Sequence, residues 1–131
     1  MGTWAEEVYD DTFDETLESN GLLFVDFYAD WCGPCKAVAP VVERVAREYA
    51  GRVAFVKLNT DGNPRTAARF GIRSIPAMIL FENGRPVATL SGYQPEHVLR
   101  SLIEGHAPPA SAAPERRPRR GLLSRLMGRE A

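Results

Sequence analysis

The sequence predicts an α/β domain built on a mixed β-sheet that is covered by helices. Three observations support this. Short apolar runs alternate with segments of helical periodicity between residues 22 and 71, an Asn83-Gly84 turn separates two further short runs, and an amphipathic segment closes the pattern near residue 105. Alternation of strands and helices favours parallel neighbours, and the tight turn adds an antiparallel pair. A chain of 131 residues has the length of a single domain.

The first predicted strand is followed directly by the longest helix. Residues 22–29 are apolar apart from Asp26, which is typical of a strand buried on both faces. Residues 35–50 show helical spacing of apolar side chains, and Gly51 supplies a stop. Pro40 lies inside this helix and is expected to bend it. The apolar face of the helix comprises Val38, Val42, Val45 and Tyr49.

The second predicted strand, residues 53–58, leads into a short helix. Asn63 stands at the N-cap position of that helix, Pro64 is its first residue, and Gly71 ends it.

A hairpin and a last helix complete the domain. Residues 77–81 form the third strand, and residues 86–90 form its antiparallel partner across the Asn83-Gly84 turn. The last helix opens at Pro95-Glu96 and stops at Gly105. Its apolar face comprises Val98, Leu99, Leu102 and Ile103.

The charges divide the chain into two parts. The formal net charge of −1 combines residues 1–106, with 10 Lys and Arg against 15 Asp and Glu, and residues 107–131, with six Arg against two Glu. Residues 107–114 are small, polar and rich in proline, a composition typical of a linker that buries little apolar surface. We therefore expect a folded domain over residues 1–106 and a basic tail over residues 107–131.

Composition also narrows the class of protein. No stretch approaches the roughly 20 apolar residues that a membrane-spanning helix requires. The acidic start lacks the basic and apolar regions of a secretory signal, so we expect a cytoplasmic protein. Two cysteines are too few for a scaffold held together by disulfides.

The motif Trp31-Cys32-Gly33-Pro34-Cys35 lies where the buried strand gives way to the helix, a context that makes a C-x-x-C spacing informative. One helical turn brings the two sulfurs within bonding reach. Unpaired N–H groups at the helix start stabilise a thiolate, the reactive form of cysteine. We expect Cys32 to be the exposed nucleophile and Cys35 to resolve the mixed disulfide that it forms.

Three other interpretations of the cysteines are possible. A zinc site needs four ligands, and only His97 and His106 are available to join the pair, at a spacing unlike that of a zinc finger. A permanent disulfide closing so short a loop constrains the unfolded chain little. Two inert core cysteines are the third alternative. The redox interpretation is favoured, with no metal.

Asp26 interrupts the apolar strand, where a carboxylate costs several kcal/mol unless it is paired or protonated. It is either a hydrated or salt-bridged residue at a strand edge, or a general base of raised pKa near the cysteines. Lys57 stands at the matching position of the second strand and is a candidate neighbour.

The remaining candidates have ordinary interpretations from the residues alone. Pro76 precedes the third strand, and base rates favour a trans bond between Ile75 and Pro76. Trp31 and Tyr28 are core or rim aromatics by default, and Gly92 is a turn glycine.

Taken together, the motifs resemble the thioredoxin family over nearly all of residues 1–106. The resemblance rests on family order and spacing in four segments, which are residues 25–36 with the cysteine motif, 56–59, 71–76 and 81–84. It implies a thioredoxin fold, with a central mixed sheet flanked by helices on both faces and the active site at the carboxyl end of a strand.

The resemblance also implies roles for individual residues. Asp26 is the buried base that deprotonates Cys35, with Lys57 beside it. The Ile75–Pro76 bond is cis, and the Ile75 backbone pairs with an extended substrate segment. A flat apolar rim that accepts protein disulfides is formed by Trp31, Gly33, Pro34, Ile75, Pro76 and Gly92.

Activity and partners follow from the same resemblance. Gly33-Pro34 is the dipeptide typical of the reducing members, so we expect a protein-disulfide reductase without a bound cofactor. A thioredoxin reductase drawing on NADPH supplies its electrons, disulfide-containing proteins are its substrates, and the chain is a monomer. Tyr28 departs from the pattern, because many family members have a second tryptophan there. The rival functions are a binding module, in which the domain serves as a scaffold or subunit and redox turnover is incidental, and a disulfide-forming oxidase or isomerase.

The tail is outside the resemblance. Four arginines among residues 116–120 precede apolar side chains at two-turn helical spacing over residues 122–127. The tail is either a disordered solubilising extension or a segment that docks on anionic lipid, nucleic acid or a partner, and contact with an acidic surface is the preferred functional hypothesis.

Overall fold

A computed structural model describes residues 4–107. The elements in chain order are β1 (Glu6–Glu7), α1 (Phe13–Ser19), β2 (Leu22–Tyr28), α2 (Gly33–Glu48), β3 (Ala54–Asn59), α3 (Pro64–Arg69), β4 (Ala77–Glu82), β5 (Arg85–Ser91) and α4 (Glu96–Glu104).

The five strands form one mixed sheet in the order β1-β3-β2-β4-β5. β3 pairs in parallel with both β1 and β2, whereas β4 is antiparallel to β2 and to β5. β2 is therefore the central strand, with hydrogen-bonded neighbours on both sides. This arrangement confirms the predicted mixed sheet.

Alternate residues of each strand enter two separate cores. On one face, which we call the α1/α3 face, the side chains of Leu23, Val25 and Phe27 pack with residues from α1 and with Phe70 after α3. On the opposite face, the α2/α4 face, Phe24 packs with apolar residues from α2 and α4. Helices thus cover both faces of the sheet, because the period of two along a strand sends successive side chains to opposite sides.

The acidic start of the chain contains two elements that the sequence did not predict. Glu6–Glu7 adds the short edge strand β1 beside β3, and Phe13–Ser19 forms α1. Phe13 and Leu17 are buried one helical turn apart. Two apolar residues in seven give a weak periodic signal, and so short a helix depends on tertiary packing for its stability.

The start of α3 differs from the expected N-cap. Asn63 occupies the N-cap position, but its side chain does not cap the helix. Its Oδ1 instead accepts the N–H of Asp10 at 2.8 Å, and the Asp10 carboxylate accepts the N–H groups of Arg65 and Thr66. The cap therefore comes from a residue more than fifty positions away, which local sequence patterns do not reveal.

Within residues 4–107, no helix is long and apolar enough to cross a membrane. The boundary at residue 106 stays a prediction, and the basic tail lies outside the described residues except for Ala107.

Candidate active site

The two cysteines lie at the junction between the central strand and α2. Cys32 is the N-cap residue of α2, and Cys35 lies in its first turn. Their sulfurs form a disulfide, with the Cα atoms 5.3 Å apart. The C-x-x-C spacing at a helix start thus produces the predicted pairing.

The helix start supplies a donor to the Cys32 sulfur. The backbone N–H of Cys35 donates to Cys32 Sγ at 3.2 Å, so Cys32 caps the helix with its side chain. The first turn of α2 contains no acidic residue. When the disulfide is reduced, this N–H and the helix dipole favour the thiolate form of Cys32.

Cys32 is less accessible than the sequence suggested. It is 3% exposed, against 4% for Cys35, so the expectation of an exposed Cys32 is wrong for this disulfide form. The Cys32 sulfur lies 3.7 Å from the carbonyl oxygen of Ile75, and Ile75 packs against the cluster formed by Ala29, Cys32 and Cys35. The segment that covers Cys32 is the loop before β4, which is more than forty residues away in the sequence.

That loop contains a cis peptide bond between Ile75 and Pro76. The base-rate expectation of a trans bond was wrong, whereas the expectation from the resemblance is confirmed. Gly92 lies next to it, since its N–H donates to the carbonyl of Pro76 at 2.8 Å. Gly92 has φ +82°, a conformation that glycine adopts without the strain a side chain introduces.

The predicted apolar rim is only partly at the surface. Trp31 is 69% exposed, and its Nε1–H donates to Asp61 at 2.8 Å. Gly33 and Pro34 are also exposed. Ile75 and Gly92 are half-buried, but Pro76 is buried and belongs beneath the rim, contrary to expectation.

Asp26 lies in the middle of the central strand and is 4% exposed. It is therefore not a hydrated residue at a strand edge. Its Cα partner on β3 is Lys57, as predicted, and its partner on β4 is Met78. Within the described part of the chain, its Oδ1 has no hydrogen-bond partner.

The surroundings of Asp26 favour its protonated form. Burial is the main cause and raises the pKa of the carboxyl from 3.8 to about 7, against the positive charge of Lys57, which lowers it. The negative charge of Glu7 raises it further. Near neutral pH, Asp26 consequently exists in both protonation states.

A cavity of about 460 Å³ lies beside Asp26 and Lys57. Helix α2 contributes five of the other lining residues, and Ala5, the residue before β1, also lines the cavity. The α2 residues are Ala39, Pro40, Val42, Glu43 and Arg44. The cavity is large enough for several water molecules.

Two residues near the site were not predicted from the sequence. Glu7 on β1 accepts a hydrogen bond from the hydroxyl of Tyr28, and Asp61 accepts one from Trp31. No sequence motif marks Glu7, because its place depends on the register of the unpredicted β1. Asp61 follows β3 by two residues, and the carboxyl end of a strand in an α/β sheet is the signal that indicates it.

Among residues 4–107, no group of three or more His, Cys, Asp or Glu side chains is arranged to hold a metal ion. His106 instead lies 3.5 Å from a carboxylate oxygen of Glu82.

The fold and the site together define a thiol–disulfide oxidoreductase, because a disulfide that closes a single helical turn at a helix start is readily formed and broken. Comparison with known proteins gives the family. The model of the family described as Thioredoxin matches residues 5–105. The chain is 47% identical over 100 residues to the thioredoxin of Staphylococcus saprophyticus, which covers 76% of this chain and 95% of that protein. It is 46% identical over 103 residues to thioredoxin 1 of a Nostoc species, covering 78% of this chain and 96% of that protein.

The chain belongs to the thioredoxin family. Its mixed sheet with helices on both faces is the thioredoxin fold, and its activity is dithiol–disulfide exchange.

Proposed function

We propose that this protein reduces disulfides in other proteins, with Cys32 as the nucleophile, Cys35 as the resolving thiol and Asp26 as the base. The observation that carries the proposal is the N–H of Cys35 directed at Cys32 Sγ, which gives the two sulfurs different surroundings. A donor at the helix start stabilises negative charge on the first sulfur and not on the second.

The reaction transfers two electrons in two exchanges. The Cys32 thiolate attacks one sulfur of the substrate disulfide, and the other substrate sulfur leaves as a thiolate that takes a proton. The Cys35 thiol then loses its proton to the Asp26 carboxylate and attacks Cys32 Sγ. The Cys32–Cys35 disulfide forms, and the second substrate sulfur leaves as a thiol after protonation.

Asp26 suits this role because of where it lies. Its side chain is on the α2/α4 face of the sheet, beneath the helix that begins at the cysteines, and it borders the cavity that α2 lines. A carboxyl with a pKa of about 7 accepts a proton and releases it again under neutral conditions. Lys57 supports the ionised form by its charge.

Substrate binding is proposed at the rim. The backbone of Ile75, next to Cys32 Sγ, is placed to pair with an extended segment of the substrate, and Trp31, which precedes Cys32 in the chain, offers a large exposed apolar surface. Within residues 4–107, no atom outside the local chain lies within 4 Å of the position that a Cβ would take at Gly33 or at Gly92, so the rim is open at these two glycines. Pro34 and Pro76 complete the apolar surroundings.

The finer biological assignments are also proposals. Gly33-Pro34 and the thioredoxin relatives support a reducing role in the cytoplasm, with electrons drawn from NADPH through a thioredoxin reductase and no bound cofactor. We propose that the protein acts as a monomer with a domain over residues 1–106. Contact of the tail, residues 107–131, with an acidic surface rests on its charge alone.

Reduction of insulin disulfides by dithiothreitol tests the proposed function. We expect the parent protein to accelerate it and Cys32→Ser to abolish the acceleration. Cys35→Ser is expected to accumulate mixed disulfides with target proteins. Ser101→Ala, an exposed change on α4, is the matched control and should retain parental activity. A Cys32→Ser variant as active as the parent contradicts the nucleophile assignment, and failure of Cys35→Ser to trap any target contradicts the resolving role.

A further inference from the structure

Three charged side chains stand in one row across three neighbouring strands. Lys57 on β3 is the Cα partner of Glu7 on β1 and of Asp26 on β2. Aligned residues of adjacent strands point to the same side of a sheet, so all three project to the α2/α4 face. Lys57 therefore has a carboxylate on either side.

Tyr28 connects this row to the cysteines. It follows Asp26 by two residues and so projects to the same face. Its hydroxyl donates to the Glu7 carboxylate, with distances of 2.9 and 2.7 Å to the two oxygens. Its side chain packs against the cluster formed by Ala29, Cys32 and Cys35. Tyr28 thus contacts both Glu7 and the cluster that contains the two cysteines.

Other charged groups near Asp26 are already engaged. Glu43 and Arg44 of α2 line the same cavity, but the Glu43 carboxylate accepts the N–H groups of Trp4 and Ala5, and Arg44 pairs with Glu96. On β4 the residue facing Asp26 is the uncharged Met78. The ionisable groups that face Asp26 from the sheet are therefore Lys57, Glu7 and Tyr28.

Tyr28 remains a hydrogen-bond donor in this arrangement. Burial, followed by the hydrogen bond to Glu7, raises the pKa of the Tyr28 hydroxyl above its usual range. The charge of Glu7 meanwhile raises the pKa of Asp26, in opposition to Lys57.

We propose that Glu7 is a positioning residue for thiol–disulfide exchange: its carboxylate competes with Asp26 for Lys57 and anchors Tyr28 against the cysteine cluster, which limits how far Lys57 stabilises the ionised form of Asp26. The importance of Glu7 for the reaction rests on the proposed role of Asp26 as the base. The electrostatic action of Glu7 on Asp26 does not depend on that role.

Titration of the Asp26 carboxyl carbon by NMR in Glu7→Gln tests the proposal. Removing one nearby negative charge should move the Asp26 midpoint toward acid by about 0.5–1 pH unit. Glu6→Gln is the matched control, because it removes the same charge from the adjacent, exposed residue of β1, whose Cα partner is Val56. We expect the control to leave the midpoint in place. An unmoved midpoint in Glu7→Gln, or equal shifts in both variants, overturns the proposal.

A second variant separates the charge of Glu7 from its contact with Tyr28. Tyr28→Phe keeps the ring and removes the hydroxyl. The Glu7 carboxylate is then expected to interact more strongly with Lys57, and the Asp26 midpoint is expected to rise. A fall, or no change, contradicts the anchoring role.

The rate of mixed-disulfide resolution distinguishes failure of this proposal from failure of the proposed function. We expect its pH profile to shift with the Asp26 midpoint in Glu7→Gln. If Asp26 is not the base, Asp26→Asn leaves the rate unchanged although the Glu7→Gln midpoint still moves. If Glu7 does not act on Asp26, the midpoint stays in place although Asp26→Asn still slows resolution.

Discussion

The two faces of the sheet share the same strands but differ in chemistry. On the α1/α3 face, successive side chains of β2 are Leu23, Val25 and Phe27, all buried among apolar neighbours. On the α2/α4 face, the alternate residues of the same strand are Phe24, Asp26 and Tyr28. One face is apolar along its length, whereas the other changes from apolar to ionisable toward the end where the cysteines lie.

Within this single strand, the side chains on one face contribute to stability, and those on the other face contribute to reactivity. The apolar face buries surface at no electrostatic cost and holds β2 in place. The polar end of the other face carries an unfavourable buried carboxyl, which the rest of the core has to offset. The buried carboxyl is on the strand that leads to the cysteines, where an adjustable proton acceptor is useful for exchange.

Truncation of the apolar face is expected to have the largest effect on stability. Phe27→Ala removes a fully buried ring and should lower the free energy of unfolding by roughly 3–5 kcal/mol, equally at pH 5 and pH 8. Urea unfolding at the two pH values measures this free energy. Val87→Ala, at an exposed position of β5, is the control and should change it by less than about 0.5 kcal/mol. A loss below about 1 kcal/mol in Phe27→Ala contradicts the account of this face.

Substitution of Asp26 should change the free energy of unfolding in the opposite direction, by an amount that depends on pH. Folded Asp26 has a pKa of about 7, above that of an unfolded aspartate, so the native state binds the extra proton between about pH 4 and pH 7. The stability of the parent protein therefore falls as pH rises through that window and levels off above it. Asp26→Asn should be more stable than the parent by roughly 2–4 kcal/mol at pH 8 and no more stable near pH 4.

Urea unfolding across pH 4–8 measures this difference, with Glu6→Gln as an exposed carboxylate control. An Asp26→Asn effect that is the same at both ends of the range contradicts a raised pKa.

Substitution of Lys57 is expected to have a smaller effect, which is seen in the titration of Asp26. Lys57→Met keeps an unbranched side chain but removes the positive charge that lowers the pKa of Asp26. The NMR midpoint of the Asp26 carboxyl should rise by about one pH unit. A shift toward acid contradicts the assignment of Lys57 as the neighbour that supports the ionised form.

Much of this architecture is predictable from local patterns. β2 and α2 were expected because an apolar run and a helical face are strong signals, and the Asn83-Gly84 turn located the hairpin of β4 and β5. β1 and α1 were missed because a two-residue strand and a seven-residue helix have almost no periodicity to detect.

The site was predictable in its chemistry but not in its contacts. The C-x-x-C spacing identified the disulfide, and Asp26 was conspicuous as a carboxylate in an apolar strand. The burial of Cys32 against Ile75 and the hydrogen bond from Tyr28 to Glu7 depend on segments distant in sequence. The cis bond before Pro76 followed from family resemblance, since residue statistics alone favour trans.

The central claim is that Asp26 accepts the Cys35 proton as the mixed disulfide is resolved. The most direct measurement is the single-turnover rate of resolution between pH 6 and pH 8 in the parent and in Asp26→Asn. We predict that the parental rate falls as pH decreases through about 7, where Asp26 becomes protonated, and that Asp26→Asn is slower throughout and lacks this titration. An Asp26→Asn variant with the parental rate and pH profile contradicts the claim.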